Sequence, residues 1–263
     1  MEFFWATPPV TRTLVATSVI MSALAHFGTI DIMKTIFIPE YIFTYRMVPQ
    51  VWRLATSFLL TGPSFGILMD PYFLYTYSLA LEKSGSKFRT SSDYSVFIVF
   101  VWAIIMPLAG LWLGWPFLMS SFLMALAYTY AQEDPNRQVN YFIVTLSAKY
   151  IIYAQLIVTC IATGGYYHAF VQATGIPAAH LYLFLTKYWP EYGGGTHWIF
   201  TPNFLRQYLD APAGTGVNRG AGTAFPARNA GGAQAGRGGG WTSAFSAGGG
   251  TWNQRGPGRR LGD

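Results

Sequence analysis

The chain has 263 residues, of which 52% are hydrophobic and 11% are charged, and its mean hydropathy is +0.29. This is too little charge to cover the surface of a soluble protein of this size, so the composition indicates a membrane protein. A single cysteine, Cys160, excludes a disulfide framework and a cysteine zinc site, and the four histidines show no spacing typical of metal ligands. We therefore expect no metal site and no cofactor.

Six apolar segments predict six transmembrane helices, since a spanning helix needs about 20 predominantly apolar residues. Residues 94–132 contain no charged side chain and are long enough for two such helices, with a break at Gly114-Trp115-Pro116. We place the spans, to within several residues, at 14–30, 64–82, 95–112, 114–131, 139–162 and 172–189. The predicted fold is an all-α polytopic membrane domain over residues 1–210.

The basic residues predict the orientation of these spans. Thirteen of the 17 Lys and Arg residues fall on the face that carries both termini, against three on the other, and one lies inside a span. Because basic segments stay in the cytosol, we expect both termini to be cytosolic.

Two ionisable residues fall at membrane depth, Asp70 in the second predicted span and Lys149 in the fifth. Such residues by default mark a polar path, and we assign this role to both. The alternatives are a helix-start cap before Pro71 for Asp70 and a side chain that snorkels to the interface for Lys149.

The first loop, residues 31–63, is the longest and mixes aromatic with basic residues, including Trp52 and Arg53. This mixture is typical of a segment that lies at the headgroup boundary. Composition alone favours an aromatic anchor with no further role.

Residues 211–263 hold 16 of the 28 glycines and six arginines, with few aliphatic residues, so we expect them to be disordered. Such a tail fits three roles: an inert solubilising extension, a weak binder of single-stranded RNA, and a short peptide that docks on a partner. Composition ranks the three roles in that order.

Four motifs, in family order, resemble those of the Derlins, rhomboid-like pseudoproteases of the endoplasmic reticulum membrane. They are Trp52-Arg53, the stretch 70–78 that begins Asp70-Pro71-Tyr72, Gly175-x-x-x-Ala179 followed by His180-Leu181-Tyr182, and a tail peptide with Trp252 and Gly256-x-Gly258-x-x-Leu261. The last is similar to the SHP box, through which Derlins recruit the valosin-containing AAA ATPase. This sequence departs from the family at Ala179, which replaces a glycine, and in a longer gap after Trp252.

The resemblance implies a rhomboid-like fold with a cytosolic tail, in a non-enzymatic factor that moves misfolded proteins out of the endoplasmic reticulum for degradation. The loop at Trp52 and Arg53 would meet substrates and disturb the bilayer. The implied partners are the ATPase, a membrane ubiquitin ligase complex, misfolded proteins and membrane lipids, and no nucleic acid is expected.

An active intramembrane serine protease is the main alternative, and a tether for RNA through the tail is the other. Active rhomboids carry the serine in a GxSG turn on the fourth span and a histidine on the sixth. Here Ser120 and Ser121 lack the flanking glycines that open an oxyanion pocket, so we assign no catalytic residue. We expect His180 to make a hydrogen bond between helices, and Gly175 with Ala179 to allow close helix packing.

Overall fold

The computed structural model describes residues 7–42, 50–62, 66–84, 88–141, 144–163, 165–192 and 199–210. These residues all lie in the first of two compact units, Met1–Gly216. The predicted tail, with its candidate residues Trp252, Gly256, Gly258 and Leu261, lies outside the described residues.

The described part of the chain is mostly helical. Its helices are α1 (Pro9–His26), α2 (Pro39–Ile42), α3 (Arg53–Leu59), α4 (Gly66–Ser84), α5 (Ser91–Ile105), α6 (Met119–Glu133), α7 (Ala148–Thr163), α8 (Tyr166–Ala173), α9 (Gly175–Leu183), α10 (Trp189–Tyr192) and α11 (Asn203–Leu209). A 3-10 turn forms at Ile32–Lys34, and π-helical segments continue α5 over Met106–Trp112 and α9 over Phe184–Tyr188. Six of these helices (α1, α4, α5, α6, α7 and α9) lie where the hydropathy pattern predicts spans.

Among the described residues, the continuous helix Ser91–Trp112 is long and apolar enough to cross a membrane, with a mean hydropathy of 2.2 over its best window. The helix starts where the Thr90 hydroxyl accepts a hydrogen bond from the Asp93 backbone N–H, which is the usual N-cap arrangement. The helix ends just before Gly114, whose φ of +63° is incompatible with a right-handed helix. The break predicted at Gly114-Trp115-Pro116 is therefore present, whereas the other five spans remain predictions.

The fifth predicted span is wrong at its start. Instead of helix, the chain forms an antiparallel hairpin of β1 (Gln138–Tyr141) and β2 (Val144–Ser147), with Gln138 opposite Ser147. The β-branched and aromatic residues of this stretch favour extended strands, and hydropathy alone does not register that preference. The fold is therefore mostly helical rather than all-α.

Helix α6 lies at the centre of the fold, because it packs against α4, α7, α8 and α9. Eleven of its 15 residues are buried, among them Phe122, Met124 and Leu126, which are fully enclosed. A helix that is apolar on every face is typical of a core helix. Helices α4, α7, α8 and α9 are thus arranged around α6.

Two carboxylates tie the ends of the described chain to inner helices. Glu82 on α4 accepts hydrogen bonds from the Val10 and Thr11 backbone N–H groups, at 3.2 and 2.7 Å, which caps the start of α1. Asp210, after α11, accepts from the Ser92 N–H and hydroxyl at 3.3 and 2.8 Å, at the start of α5. The start of α1, the end of α4, the start of α5 and the end of α11 thus lie at one end of the fold.

Candidate functional site

Arg53 begins α3, and its guanidinium holds the first loop together from inside. Its Nε donates to Gln50 Oε1 at 2.6 Å, and its Nη1 donates to the carbonyl oxygens of Met33 and Ile36 at 2.6 and 2.8 Å. The guanidinium also lies over the Tyr41 ring, 5.1 Å from its centroid. Arg53 is 3% exposed, so its guanidinium lies inside the loop and not on the surface of the loop. Its donors are used by the loop backbone, which draws it into the protein.

Trp52, in contrast, lies at the surface with half of its side chain exposed. Its Nε1 donates to the Lys34 carbonyl oxygen at 3.3 Å, which fixes the ring against the 3-10 turn. Met33 and Tyr41 beside it are also exposed. Trp52 and Arg53 thus have different roles. Arg53 supports the loop from inside, and Trp52 is one of several apolar side chains that the loop exposes.

Asp70 is the fifth residue of α4, which begins at Gly66 and contains Pro71 in its interior. The alternative of a helix-start cap before Pro71 is therefore wrong. The Asp70 carboxylate accepts a hydrogen bond from the Gly62 N–H at 3.0 Å and lies against Gly66. It holds the short connection between α3 and α4 close to the first turn of α4.

Lys149 is the second residue of α7, because the hairpin occupies the stretch that was expected to precede it in a span. Lys149 therefore lies at the start of this helix and not in its interior. Its side chain is exposed, and Nζ lies 5.0 Å from the centroid of the Tyr150 ring. Asp70 and Lys149 lie on different helices, and no described contact joins them into one polar path.

Gly175 and Ala179 lie on the face of α9 that packs against α6. A Cβ atom added at Gly175 would come within 2.0 Å of the Ser121 carbonyl oxygen and 2.8 Å of the Ala125 backbone N. Ala179 is fully buried in the same face. The two backbones approach so closely that only glycine fits at the tightest point, as in other small-xxx-small contacts.

His180, on the next position of α9, is exposed and shares a hydrogen bond of 2.8 Å between its Nδ1 and the Tyr128 hydroxyl on α6. Ser121 is buried, and its hydroxyl donates to the Val171 carbonyl oxygen at 2.9 Å. Within the described residues, neither Ser120 nor Ser121 bonds to His180. Ser121 and His180, two of the side chains that the protease alternative would need, are thus engaged with other partners.

The family model of the Der1-like family matches residues 7–203. This range contains Trp52, Arg53 and the α6–α9 contact. The chain belongs to the Der1-like family.

Curated Derlins resemble the chain over most of its length. Derlin-1 of Homo sapiens is 31% identical over 218 residues, which cover 81% of this chain and 84% of the human protein. Derlin-1 of Arabidopsis thaliana is 29% identical, covering 79% and 76%, and Derlin-1 of Drosophila melanogaster is 24% identical, covering 79% and 83%. The resemblance to the Derlin family is confirmed, and the range matched by the family model contains three of the four motifs, while the tail peptide lies beyond it.

Some residues that shape the site of this Der1-like protein were missed by sequence reasoning. Gln50 and Tyr41 complete the surroundings of Arg53, and Tyr128 is the partner of His180. Tyr41 and Tyr128 belong to no spacing that indicates a motif, because their contacts join separate elements. Only the three-residue spacing from Gln50 to Arg53, which suits neighbours on one helical turn, gave a local signal.

Proposed function

We propose that this Der1-like protein is a non-enzymatic retrotranslocation factor of the endoplasmic reticulum membrane. It binds misfolded proteins, disturbs the bilayer locally and recruits the valosin-containing AAA ATPase through its tail, beside a membrane ubiquitin ligase complex. The observation that carries the proposal is the family match over residues 7–203. Both termini face the cytosol, and six helices span the membrane.

The geometry of the first loop supports the substrate and bilayer roles. Arg53 fixes the loop from inside, while Met33, Tyr41 and Trp52 are 63%, 48% and 51% exposed. Because the Arg53 side chain fills the interior of this part of the loop, these three apolar side chains lie outward. Such a surface suits both the headgroup boundary and the apolar segments that a misfolded chain exposes.

The lengths of two helices support a local disturbance of the bilayer. Helix α6 has 15 residues and α7 has 16, which correspond to about 22 and 24 Å at 1.5 Å per residue. The hydrocarbon layer is about 30 Å thick, so a helix of this length draws the two leaflets together. A thinner layer lowers the cost of moving polar backbone across it.

The tail supplies the connection to an energy source. The sequence contains no phosphate-binding loop of the GxxxxGK[ST] type, so the pulling force comes from the ATPase partner.

The contacts of Ser121 and His180 support a role without proteolysis, because a serine nucleophile needs a hydrogen-bonded base.

The proposal is tested by replacing the protein in cells with single variants and measuring the half-life of a misfolded endoplasmic reticulum reporter. Trp52→Ala and Leu261→Ala are each expected to slow its degradation by about fivefold, the factor that corresponds to about 1 kcal/mol of lost interaction. Leu261→Ala should also abolish co-precipitation of the ATPase, which Trp52→Ala should retain. The matched control is Tyr192→Ala, an aromatic residue that is 85% exposed and lies outside the loop. An unchanged half-life for both variants would overturn the proposal.

A further inference from the structure

The α11 segment, residues 199–210, is held at the start of α5 by two contacts between hydroxyl groups and carboxylates. The Ser92 hydroxyl and N–H donate to Asp210 at 2.8 and 3.3 Å, and the Thr201 hydroxyl donates to Asp93. The paired residues are 118 and 108 positions apart in the chain. One contact precedes α11 and the other follows it, so polar groups attach the segment to α5 at both of its ends.

Apolar packing adds little to this attachment. Ile199 and Leu209 pack partly against the core, whereas Phe200 and Phe204 are mostly exposed. Helix α11 has seven residues, which are too few to form a stable helix without outside contacts. A segment with few buried apolar contacts opens locally at a lower free energy than the helices of the core. The two hydroxyl–carboxylate contacts therefore control whether the α11 segment stays on α5.

Asp210 occupies the position that an anion takes at the start of a helix. The first turn of α5 has backbone N–H groups without partners inside the helix, and Asp210 accepts from the one at Ser92. Ser92 is fully buried at this point, with the Thr90 hydroxyl 2.7 Å from its Oγ. A phosphate group on Ser92 carries its own negative charge to the same helix end. It displaces Asp210, because two anions this close together repel each other.

The sequence before Ser92 suits a protein kinase that recognises basic side chains. Arg89 stands three positions before Ser92, and its side chain is exposed. Kinases distinguish their substrates by charge patterns of this kind. We propose that Ser92 is a phosphorylation site whose modification releases the α11 segment from α5. The inference rests on the proposed function for its cytosolic orientation, since ATP and kinases of this class lie on that side of the membrane.

The modification is a phosphoryl transfer from ATP. The Ser92 oxygen bonds to the γ-phosphorus, the bond from that phosphorus to the bridging oxygen breaks, ADP leaves, and the hydroxyl proton passes to the catalytic base of the kinase. Because Ser92 is enclosed beneath Asp210, the kinase reaches it only after the α11 segment has opened. The phosphate, with a charge of about −2, then repels the Asp210 carboxylate and prevents closure. Phosphorylation thus preserves an opening that has already occurred.

The first test measures phosphorylation of the purified full chain in detergent by an arginine-directed protein kinase and ATP. Asp210→Asn removes the charge that closes the contact, so we expect phosphorylation at Ser92 to be about tenfold faster, the factor for one charge-assisted hydrogen bond. Arg89→Ala should slow it by about tenfold, because the kinase loses the basic side chain that it recognises. The matched control is Asp134→Asn, which removes an exposed carboxylate just after α6 and should leave the rate unchanged.

The second test compares amide hydrogen exchange in α11 before and after phosphorylation. We expect exchange at residues 203–209 to become at least about tenfold faster, while the amides of α5 and α6 keep their protection. Retained protection in α6 distinguishes release of the segment from unfolding of the protein. The inference fails if the Asp210→Asn protein gains no phosphate on Ser92, or if exchange in α11 is the same after phosphorylation.

Kinase added to sealed microsomes separates this inference from the proposed function. Phosphorylation of Ser92 in sealed vesicles supports both, because the added kinase reaches only the cytosolic side. If Ser92 is phosphorylated in detergent but is protected in sealed vesicles, this end of the protein faces the lumen and the proposed orientation fails. If the protein gains no phosphate on Ser92 even in detergent, the inference fails and the proposed function is unaffected.

Discussion

Arg53 is a buried cation held by neutral oxygen atoms. Gln50, Met33 and Ile36 supply the acceptors, the Tyr41 ring covers one face of the guanidinium, and no carboxylate in the described residues pairs with it. A guanidinium suits this arrangement better than an ammonium group, because it is more weakly hydrated and its donors lie in a fixed plane. The side chain closes the loop at a point where the backbone carbonyls would otherwise lack partners.

Arg53→Ala is expected to lower the free energy of unfolding by about 3 kcal/mol, since charge-assisted hydrogen bonds are lost and buried carbonyls remain unpaired. Arg53→Lys should recover only part of this, because an ammonium group cannot reach three acceptors in one plane. Thermal unfolding of the purified protein in detergent measures both effects. The control is Lys34→Ala, which removes an exposed cation from the same loop. Equal unfolding temperatures for Arg53→Ala and the control would contradict the structural role.

At the residue scale, the sequence was sufficient to identify Trp52 and Arg53 as candidates, but not to predict that Trp52 is exposed and Arg53 buried. Both residue types are common at membrane interfaces, so the pattern predicts a location for the pair. The burial of Arg53 depends on carbonyls 17 and 20 residues earlier in the chain, and such contacts leave no local spacing to read.

At the scale of elements, the contact between α6 and α9 decides how closely two helices of the core approach. Gly175 lies against the backbone of α6 at Ser121 and Ala125, and Ala178 and Ala179 continue the contact. The replacement of the second family glycine by Ala179 is compatible with the structure, since the tightest approach is at Gly175. In apolar solvent, such packing is a main source of attraction between helices.

Gly175→Ala is expected to destabilise the protein by about 1–3 kcal/mol, or roughly 3–10 °C in Tm, because the added Cβ forces the two helices apart. The matched control is Gly165→Ala, where an added Cβ meets nothing within 4 Å. That control should stay within about 0.5 kcal/mol of the unaltered protein. Thermal unfolding in detergent compares them, and similar losses for the two variants would refute the tight contact.

Helix positions were predictable from hydropathy, because long apolar runs without charged residues form few structures other than helices. The hairpin was not, since hydropathy over the whole predicted span does not register the preference of its β-branched and aromatic residues for strands. The short helices α3, α8 and α11 were missed for a different reason: each has only seven or eight residues, too few for a periodic pattern. Among the candidate residues, Lys149 lies at the start of α7 and not within a longer helix, because the hairpin replaces the first part of the predicted span.

For the whole molecule, the two carboxylate contacts bring distant parts of the chain to one end. Glu82 joins the start of α1 to the end of α4, and Asp210 joins the end of α11 to the start of α5. The arrangement suits the predicted orientation, in which this end faces the cytosol. In that orientation we expect the first loop to face the lumen, since α1 and α4 both run between the two ends.

Accessibility of single cysteines in sealed microsomes tests this orientation, on a background in which Cys160 is replaced by Ser. A membrane-impermeant maleimide is expected to label Asn136→Cys and Arg206→Cys without detergent, and Lys34→Cys only after detergent is added. All three positions are exposed, so differences in labelling report the side of the membrane. Labelling of Lys34→Cys in sealed vesicles would reverse or refute the predicted topology.

The α6–α9 contact also limits how these two helices can move relative to each other. Backbones that touch at Gly175 cannot slide past each other without a clash, and the Ser121 hydroxyl ties α6 to α8 as well. Helices α6, α8 and α9 are therefore joined at Ser121 and Gly175. If the protein passes a polypeptide as proposed, we expect the opening to form by displacement of helices outside this group.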